Sequence, residues 1–227
     1  MNATQLHAGL PVSRAGVPVE SARAAMIMLH GRGAMAADIL FLANELDVSQ
    51  VAVLAPQAAN ATWYPNRFIA PVATNEPWLT SALQVVDDLV QSLAVSGIDA
   101  ARVFVLGFSQ GGCLALEYAA RHPRRYAGVI GLSSGLIENG DQPRTYSGSL
   151  EGTPVLLGCS DVDFHIPVTR VERTATVLAG LGAAVDKRIY PGMDHTINRD
   201  EIAAIRAMIA TVLHTGNGSE DCSRAGS

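Results

Sequence analysis

The stretch 107–112 reads Gly-Phe-Ser-Gln-Gly-Gly and places Ser109 at the centre of a Gly-x-Ser-x-Gly pattern. An apolar run, 102–106, precedes this stretch and a segment with helical character follows it, which predicts a sharp turn between a strand and a helix. Gly107 and Gly111 suit such a turn, because a Cβ at either position would obstruct the close approach of the backbone. The context is typical of a serine that attacks an acyl carbon.

A serine hydroxyl is a poor nucleophile at neutral pH, so it needs a general base and a third group that orients the base. His195 is the leading base, because it follows the last predicted strand. Asp161 and Asp163 follow the strand before it, and either could orient the imidazole. The alternative to a catalytic role is that the histidine is merely solvated and that the two aspartates only form turns. The position of all these residues directly after predicted strands, in the order Ser, Asp, His, favours a triad.

Acyl transfer also requires N–H donors that are aimed at the developing oxyanion. The backbone N–H of Gln110, directly after the serine, is one candidate donor. The loop 30–33, His-Gly-Arg-Gly, follows an early strand, and its glycines would let the Arg32 N–H approach the substrate. A plain glycine turn is the alternative for this loop. The Arg32 side chain could also attract an acidic substrate.

Short apolar runs alternate with segments of helical periodicity along most of the chain. Such runs are typical of strands that are covered on both faces, and the alternation predicts an α/β fold with a mostly parallel sheet and helices on both faces. The carboxyl ends of the strands are where chemistry gathers in such sheets. Residues 1–23 could form an edge hairpin. The predicted strands are 26–29, 51–54, 102–106, 127–132, 154–159 and 185–190, and the predicted helices are 36–46, 78–96, 113–120, 168–181 and 198–213.

The long segment 57–77 contains prolines, asparagines and three aromatic residues, Trp63, Tyr64 and Phe68. A loop of this length in a compact domain tends to be functional or disordered, and its aromatic content argues against disorder. The three aromatic side chains could line the acyl or alcohol pocket. They could equally form the core of the loop, because aromatic residues dominate buried contacts.

The remaining reactive side chains give weaker signals. His165 lies close to Asp163, but nothing else in the sequence indicates a metal site. Ser133 and Ser134 follow a strand and could line the site. The three cysteines are far apart and odd in number, which indicates free thiols. His7, His122 and His214 are expected at the surface or at helix ends, and the cysteines are Cys113, Cys159 and Cys222.

Length and composition limit the class of protein. The 227 residues suit one domain, which we expect to cover 1–215, and the polar segment 216–227 is expected to be a disordered tail. Apolar residues make up 48% of the chain and charged residues 16%, enough for a large core. The formal net charge of -5, without a basic cluster, argues against nucleic-acid binding.

The sequence shows neither the pattern of a secretory signal nor an apolar run of the roughly 18 residues that span a bilayer. We therefore expect a cytoplasmic protein without a membrane span. The oligomeric state stays open, with a homodimer as one alternative.

Four motifs together resemble those of the phospholipase/carboxylesterase family, which includes the acyl-protein thioesterases. They are His-Gly-x-Gly at 30–33, the glycine-rich serine motif at 107–112, Asp-x-x-x-Pro at 163–167 and Gly-x-x-His at 192–195. The resemblance covers about 24–213. It implies an α/β-hydrolase fold without a large lid domain and a serine esterase that needs neither metal nor cofactor. It also implies Asp163 as the acid, with oxyanion donors at Arg32 and Gln110.

Within that family, the loop around Trp63 and the segment 75–78 look more like a bacterial carboxylesterase branch than like the depalmitoylating enzymes, and Arg32 stands where those enzymes usually have an apolar residue. The serine nucleophile also differs from the cysteine of dienelactone hydrolases. The expected function is hydrolysis of small or short-to-medium-chain carboxylic esters. The alternatives are an acyl thioesterase or lysophospholipase, and a non-catalytic ligand-binding protein on the same scaffold.

Overall fold

The computed structural model describes residues 5–140 and 144–215, so the expected tail, 216–227, lies outside the described residues. A seven-stranded sheet forms the centre of the molecule, in the order β1-β3-β2-β4-β5-β6-β7. All neighbouring strands run parallel except β1, which pairs antiparallel with β3. The strands are β1 Val12–Gly16, β2 Ala24–Leu29, β3 Val51–Pro56, β4 Val103–Phe108, β5 Gly128–Leu132, β6 Pro154–Ser160 and β7 Ala184–Tyr190.

Five helices connect or flank these strands, and they are α1 Ala36–Leu40, α2 Trp78–Val95, α3 Gln110–Arg121, α4 Val168–Gly180 and α5 Arg199–Thr215. Apolar residues of α2, α3 and α4 form one core with one face of the sheet, and those of α1 and α5 form a second core with the other face. Alternate residues of β2 enter the two cores, Ile27 on one side and Met26 on the other. Burial on both faces explains the continuous apolar runs of the central strands.

Two local predictions are wrong. Within the described residues 5–23, the expected hairpin is instead a single edge strand, β1, which ends in a turn at Gly16 with φ +70°. A Cβ at Gly16 would lie 2.0 Å from the carbonyl oxygen of Val51, so only glycine fits this turn. The expected helix 36–46 is split into α1 and a 3₁₀ segment, Phe41–Glu45. Three residues per turn place Ala43 and Leu46 on the same buried face.

The last strand, β7, is the edge strand beside β6, as its polar sequence predicts. No helix in the described part of the chain is long and apolar enough to cross a membrane.

Candidate functional site

Ser109 occupies a strained turn between β4 and α3, with φ 53° and ψ -120°. A Cβ at Gly107 would lie 2.2 Å from the carbonyl carbon of Gly111, and a Cβ at Gly111 would lie 2.1 Å from the carbonyl oxygen of Leu29. The two glycines therefore allow α3 to begin directly against β4 and β2. This close packing holds the serine at the carboxyl end of the central strands.

His195 and Asp163 lie beside this serine. His195 follows β7, and its Nε2 lies 2.9 Å from the Ser109 Oγ. Its Nδ1 lies 2.7 Å from Oδ2 of Asp163, which follows β6. An ionised carboxylate only accepts hydrogen bonds, so Nδ1–H donates to Asp163 and Nε2 is left to accept from the serine hydroxyl. The arrangement forms one continuous chain of hydrogen bonds from Asp163 to Ser109.

The carboxylate of Asp163 is buried and well supplied with donors. Its Oδ1 accepts the backbone N–H groups of His165 at 2.8 Å and Ile166 at 3.0 Å. Burial acts to raise the pKa of Asp163, but the hydrogen bonds from the His195 ring and the two backbone N–H groups outweigh it, so the pKa is lowered. Asp161, the other aspartate that the sequence left open, is exposed and accepts the Gly192 N–H at 2.8 Å instead.

The two predicted oxyanion donors belong to the same cleft as Ser109 and His195, a space of about 580 Å³. Gln110 is the first residue of α3, where backbone N–H groups have no acceptor within the helix and the helix dipole favours a negative charge. Arg32 lies in the loop after β2. Its neighbour Gly31 lies beside the serine turn, where a Cβ would be in ordinary van der Waals contact with the Ser109 Cβ, at 3.6 Å.

The side chain of Gln110 fixes the long loop that the sequence singles out. Its Oε1 accepts the Trp63 N–H at 2.9 Å and its Nε2 donates to the Tyr64 carbonyl at 2.8 Å. The Trp63 indole N–H donates to the His30 carbonyl at 2.9 Å. Of the three aromatic residues, Tyr64 and Phe68 line the cleft, whereas Trp63 is fully buried and forms loop core.

The Arg32 side chain also supports this loop. Its guanidinium donates to the carbonyls of Pro65 at 2.8 Å and Asn66 at 2.6 Å, and to the Thr62 hydroxyl at 3.3 Å. All three acceptors are neutral, so none of them neutralises the positive charge of Arg32 at the rim of the cleft.

Two buried histidines form hydrogen bonds that hold the same loop. The surface position predicted for one of them, His7, is wrong. His7 accepts the Ala59 N–H at Nδ1 (3.0 Å) and donates from Nε2 to the Trp63 carbonyl (3.0 Å). His30 donates from Nδ1 to the Gly31 carbonyl (2.8 Å) and accepts the Ala58 N–H at Nε2 (3.1 Å). Burial lowers the pKa of both imidazoles, which are therefore neutral, as these hydrogen bonds require.

Further residues of the site have no clear signal in the sequence. The ring of His165 packs edge-on against that of His195 at 4.9 Å, and Phe108 packs on His195 from another side at the same distance. Arg67 and His165 line the cleft. They become neighbours only because two loops from distant parts of the chain meet at the same edge of the sheet.

Of the other residues noted in the sequence, Cys113 lines the cleft and most of the rest lie away from it. His122 follows the end of α3 and His214 is exposed in the last turn of α5, as expected. Ser133 and Ser134 are buried and do not line the cleft. Burial raises the pKa of the free thiols of Cys113 and Cys159 to about 12, and Cys222 lies outside the described residues. Within 5–140 and 144–215, no group of three or more His, Cys, Asp or Glu side chains could hold a metal ion.

A buried carboxyl group, Glu201, secures the loop that carries His195. Its Oε2 accepts the Asn198 N–H at 2.8 Å while Oδ1 of Asn198 accepts the Glu201 N–H at 3.0 Å, which closes a capping box at the start of α5. Its Oε1 fills the space that a Cβ of Gly158 would need, and it has no hydrogen-bond partner among the described residues. Burial raises the pKa of Glu201 to about 7.

Replacing this carboxyl by its neutral isostere, Glu201→Gln, is expected to stabilise the protein at alkaline pH. Because the folded state keeps a proton that the unfolded state loses near pH 4.5, stability falls as the pH rises from 4.5 to about 7. The variant lacks this loss, so its free energy of unfolding at pH 8 should exceed that of the parent by about 3 kcal/mol. Urea unfolding at pH 5 and pH 8 measures the difference.

The exposed Glu20, replaced by Gln, is the matched control, because it removes the same charge and should show no comparable pH-dependent gain. If Glu201→Gln raised the free energy of unfolding equally at pH 5 and pH 8, titration of the buried carboxyl would not be the source of the stability difference.

Comparison with known proteins gives a family and an architecture. The family described as Phospholipase/Carboxylesterase matches residues 15–213. The crystal structure of a phospholipase/carboxylesterase from Dyadobacter fermentans is 42% identical, covers 92% of this chain and 100% of that one, and superposes with a TM-score of 0.86. The predicted α/β-hydrolase fold is confirmed.

Two curated relatives carry different names. An acyl-protein thioesterase 1 of Gibberella zeae is 31% identical over 136 residues, which make up 57% of this chain and 56% of that protein. The chain thus spans little more than half of that relative. A rice protein, Oryza sativa subsp. japonica, named a probable inactive carboxylesterase, is 24% identical over 213 residues, 83% of this chain and 84% of that one.

Proposed function

The chain belongs to the phospholipase/carboxylesterase family, and on that premise we propose that it is a serine hydrolase of small or short-to-medium-chain carboxylic esters. The observation that carries the proposal is the hydrogen-bond chain from Asp163 through His195 to Ser109, with contacts of 2.7 and 2.9 Å. A base within hydrogen-bond reach of a serine, and an acid that orients the base, are what nucleophilic catalysis by serine needs.

In the first half of the reaction, the Ser109 Oγ attacks the acyl carbon while His195 Nε2 takes the hydroxyl proton. The carbonyl oxygen becomes an oxyanion, which the N–H groups of Gln110 and Arg32 bind. As the carbon–oxygen bond to the alcohol breaks, His195 returns the proton to the leaving oxygen. An ester between the acyl group and Ser109 remains.

In the second half, water attacks this acyl-enzyme, His195 takes the proton of the water, and Ser109 leaves with that proton as the free hydroxyl. Asp163 stays ionised throughout and stabilises the imidazolium that forms twice. Its lowered pKa supports this role, because the carboxylate must remain charged at neutral pH.

The first test is covalent labelling of the purified protein with a fluorophosphonate. We expect one adduct per chain, located at Ser109 by peptide mass spectrometry, because only an activated serine reacts readily with such a probe. Ser134→Ala is the matched control: its hydroxyl is buried and lies outside the cleft, so labelling should be unchanged. A non-catalytic ligand-binding protein on this scaffold would leave Ser109 unlabelled, and the rice relative carries the name of a probable inactive carboxylesterase.

A thioesterase is the second candidate within the family, because a relative from Gibberella zeae carries that name. Matched oxygen esters and thioesters of one acyl group separate the two. We propose the ester as the better substrate, and a clear preference in kcat/KM for the thioester would reassign the reaction.

A further inference from the structure

The cleft around Ser109 has the opposite charge to the protein as a whole. The chain carries a formal net charge of -5, yet the cleft is lined by two arginines, Arg32 and Arg67, and by no aspartate or glutamate. Clefts lined by one sign of charge concentrate ligands of the other sign. The lining therefore favours a substrate that carries a negative charge.

Neither arginine has an acidic partner in the part of the chain that the structure describes, since none of the ion pairs among residues 5–140 and 144–215 includes them. The Arg32 guanidinium is held by three neutral oxygens of the adjoining loop. Among the described residues, the Arg67 side chain makes one long hydrogen bond, from Nη2 to the His165 carbonyl at 3.4 Å. A guanidinium has five N–H donors, so most donors of Arg67 are available to a ligand.

The aspartates of the two loops that carry His165 and His195 do not neutralise Arg67 within the cleft. Asp163 is buried behind the imidazole and its oxygens are taken up by His195 and two backbone N–H groups. Asp161 is exposed and accepts the Gly192 N–H, and the exposed Asp194 does not line the cleft.

The position of Arg67 also indicates which part of an ester it would meet. Arg67 bonds to the backbone of His165, and the His165 ring packs on that of His195 at 4.9 Å. Because His195 must protonate the departing oxygen, the alcohol part of the ester lies next to the imidazole. Arg67 and His165 therefore flank the alcohol part, whereas Arg32 belongs to the loop 30–33, which carries one proposed oxyanion donor.

Apolar side chains fill much of the remaining wall, among them Tyr64, Phe68 and Ile166. Arg67 itself is exposed, so its attraction for an anion in the cleft is that of a surface charge, about 1 kcal/mol or less, which is about fivefold at most. Resting on the proposed esterase function, we propose that the preferred substrates are esters whose alcohol part carries a carboxylate, and that Arg67 determines this specificity.

Two pairs of esters, each differing only in charge, test the proposal. The butanoyl esters of glycolate and of glycolamide place a carboxylate or a neutral amide on the alcohol part. Monomethyl succinate and methyl succinamate do the same on the acyl part. We expect the protein to favour the glycolate ester about fivefold in kcat/KM, mainly through KM, and to show no such preference in the acyl pair.

Arg67→Gln should abolish this preference, mainly by raising KM for the glycolate ester, and Arg67→Lys should retain part of it. Arg14→Gln, on the distant edge strand β1, removes the same charge from an exposed position and should keep the preference intact. The preference should also weaken at high salt.

Any one of three results would overturn the proposal. They are equal rates for the glycolate and glycolamide esters, a preference confined to the acyl pair, and unchanged selectivity in Arg67→Gln. These outcomes differ from failure of the esterase function itself, in which the parent protein hydrolyses neither ester and Ser109 does not react with the fluorophosphonate.

Discussion

Ser109→Ala is expected to lower kcat/KM for short-chain nitrophenyl esters by about 10⁴-fold or more, as the loss of the nucleophile does in other serine triads. The expected residual rate comes from the oxyanion donors and the cleft, which the substitution leaves in place. Alanine keeps the Cβ and the backbone strain of Ser109, so thermal unfolding should be nearly unchanged, within roughly 0.5 kcal/mol of the parent.

Ser133→Ala is the appropriate control for this experiment. Ser133 also follows a strand and also has a positive φ, 45°, but its hydroxyl points to the Thr196 carbonyl at 3.4 Å. Its removal should change activity less than about threefold, since no reacting group is lost. Activity of Ser109→Ala comparable to that of Ser133→Ala would rule out the proposed mechanism.

Asp163→Asn should cost about as much activity, of the order of 10⁴-fold in kcat, with little change in fold. The amide oxygen of the new side chain can still accept the N–H groups of His165 and Ile166. Its NH₂ group would face His195 Nδ1 and donate to it, which places the imidazole proton on Nε2. In that tautomer Nε2 cannot accept the proton of Ser109.

Asp161→Asn separates this effect from the general loss of one negative charge. An amide oxygen at this position can still accept the Gly192 N–H, so we expect less than about a threefold change in kcat. Both variants are compared on one ester between pH 6 and 9. Similar losses in the two variants would contradict the assignment of Asp163 as the orienting acid.

The parts of the molecule that follow from local sequence were predictable. The central strands are continuous apolar runs because both of their faces are buried, and the turn at Ser109 has a glycine on each side because a Cβ there would meet backbone. Proximity of Ser109, Asp163 and His195 follows from the rule that parallel strands end at the same edge of the sheet.

The hydrogen bonds that support the candidate site were not predictable, because each of them joins residues that are distant in sequence. His7 reaches Ala59 and Trp63 from an N-terminal segment whose sequence has no clear periodicity. Gln110 was predicted only as a backbone donor, yet its side chain also fixes two residues of the loop. Arg67 enters the cleft through the course of a long loop, which hydrophobic periodicity does not describe.

The left-handed backbone of Ser109 has a consequence for the evolution of this chain. A non-glycine residue in such a conformation costs about 1–3 kcal/mol, and the folded protein bears that cost whether or not substrate is bound. Glycine at this position would relieve the strain and remove the hydroxyl. On the proposed esterase function, selection for thermal stability alone would therefore favour an inactive protein, and selection for turnover would retain the serine.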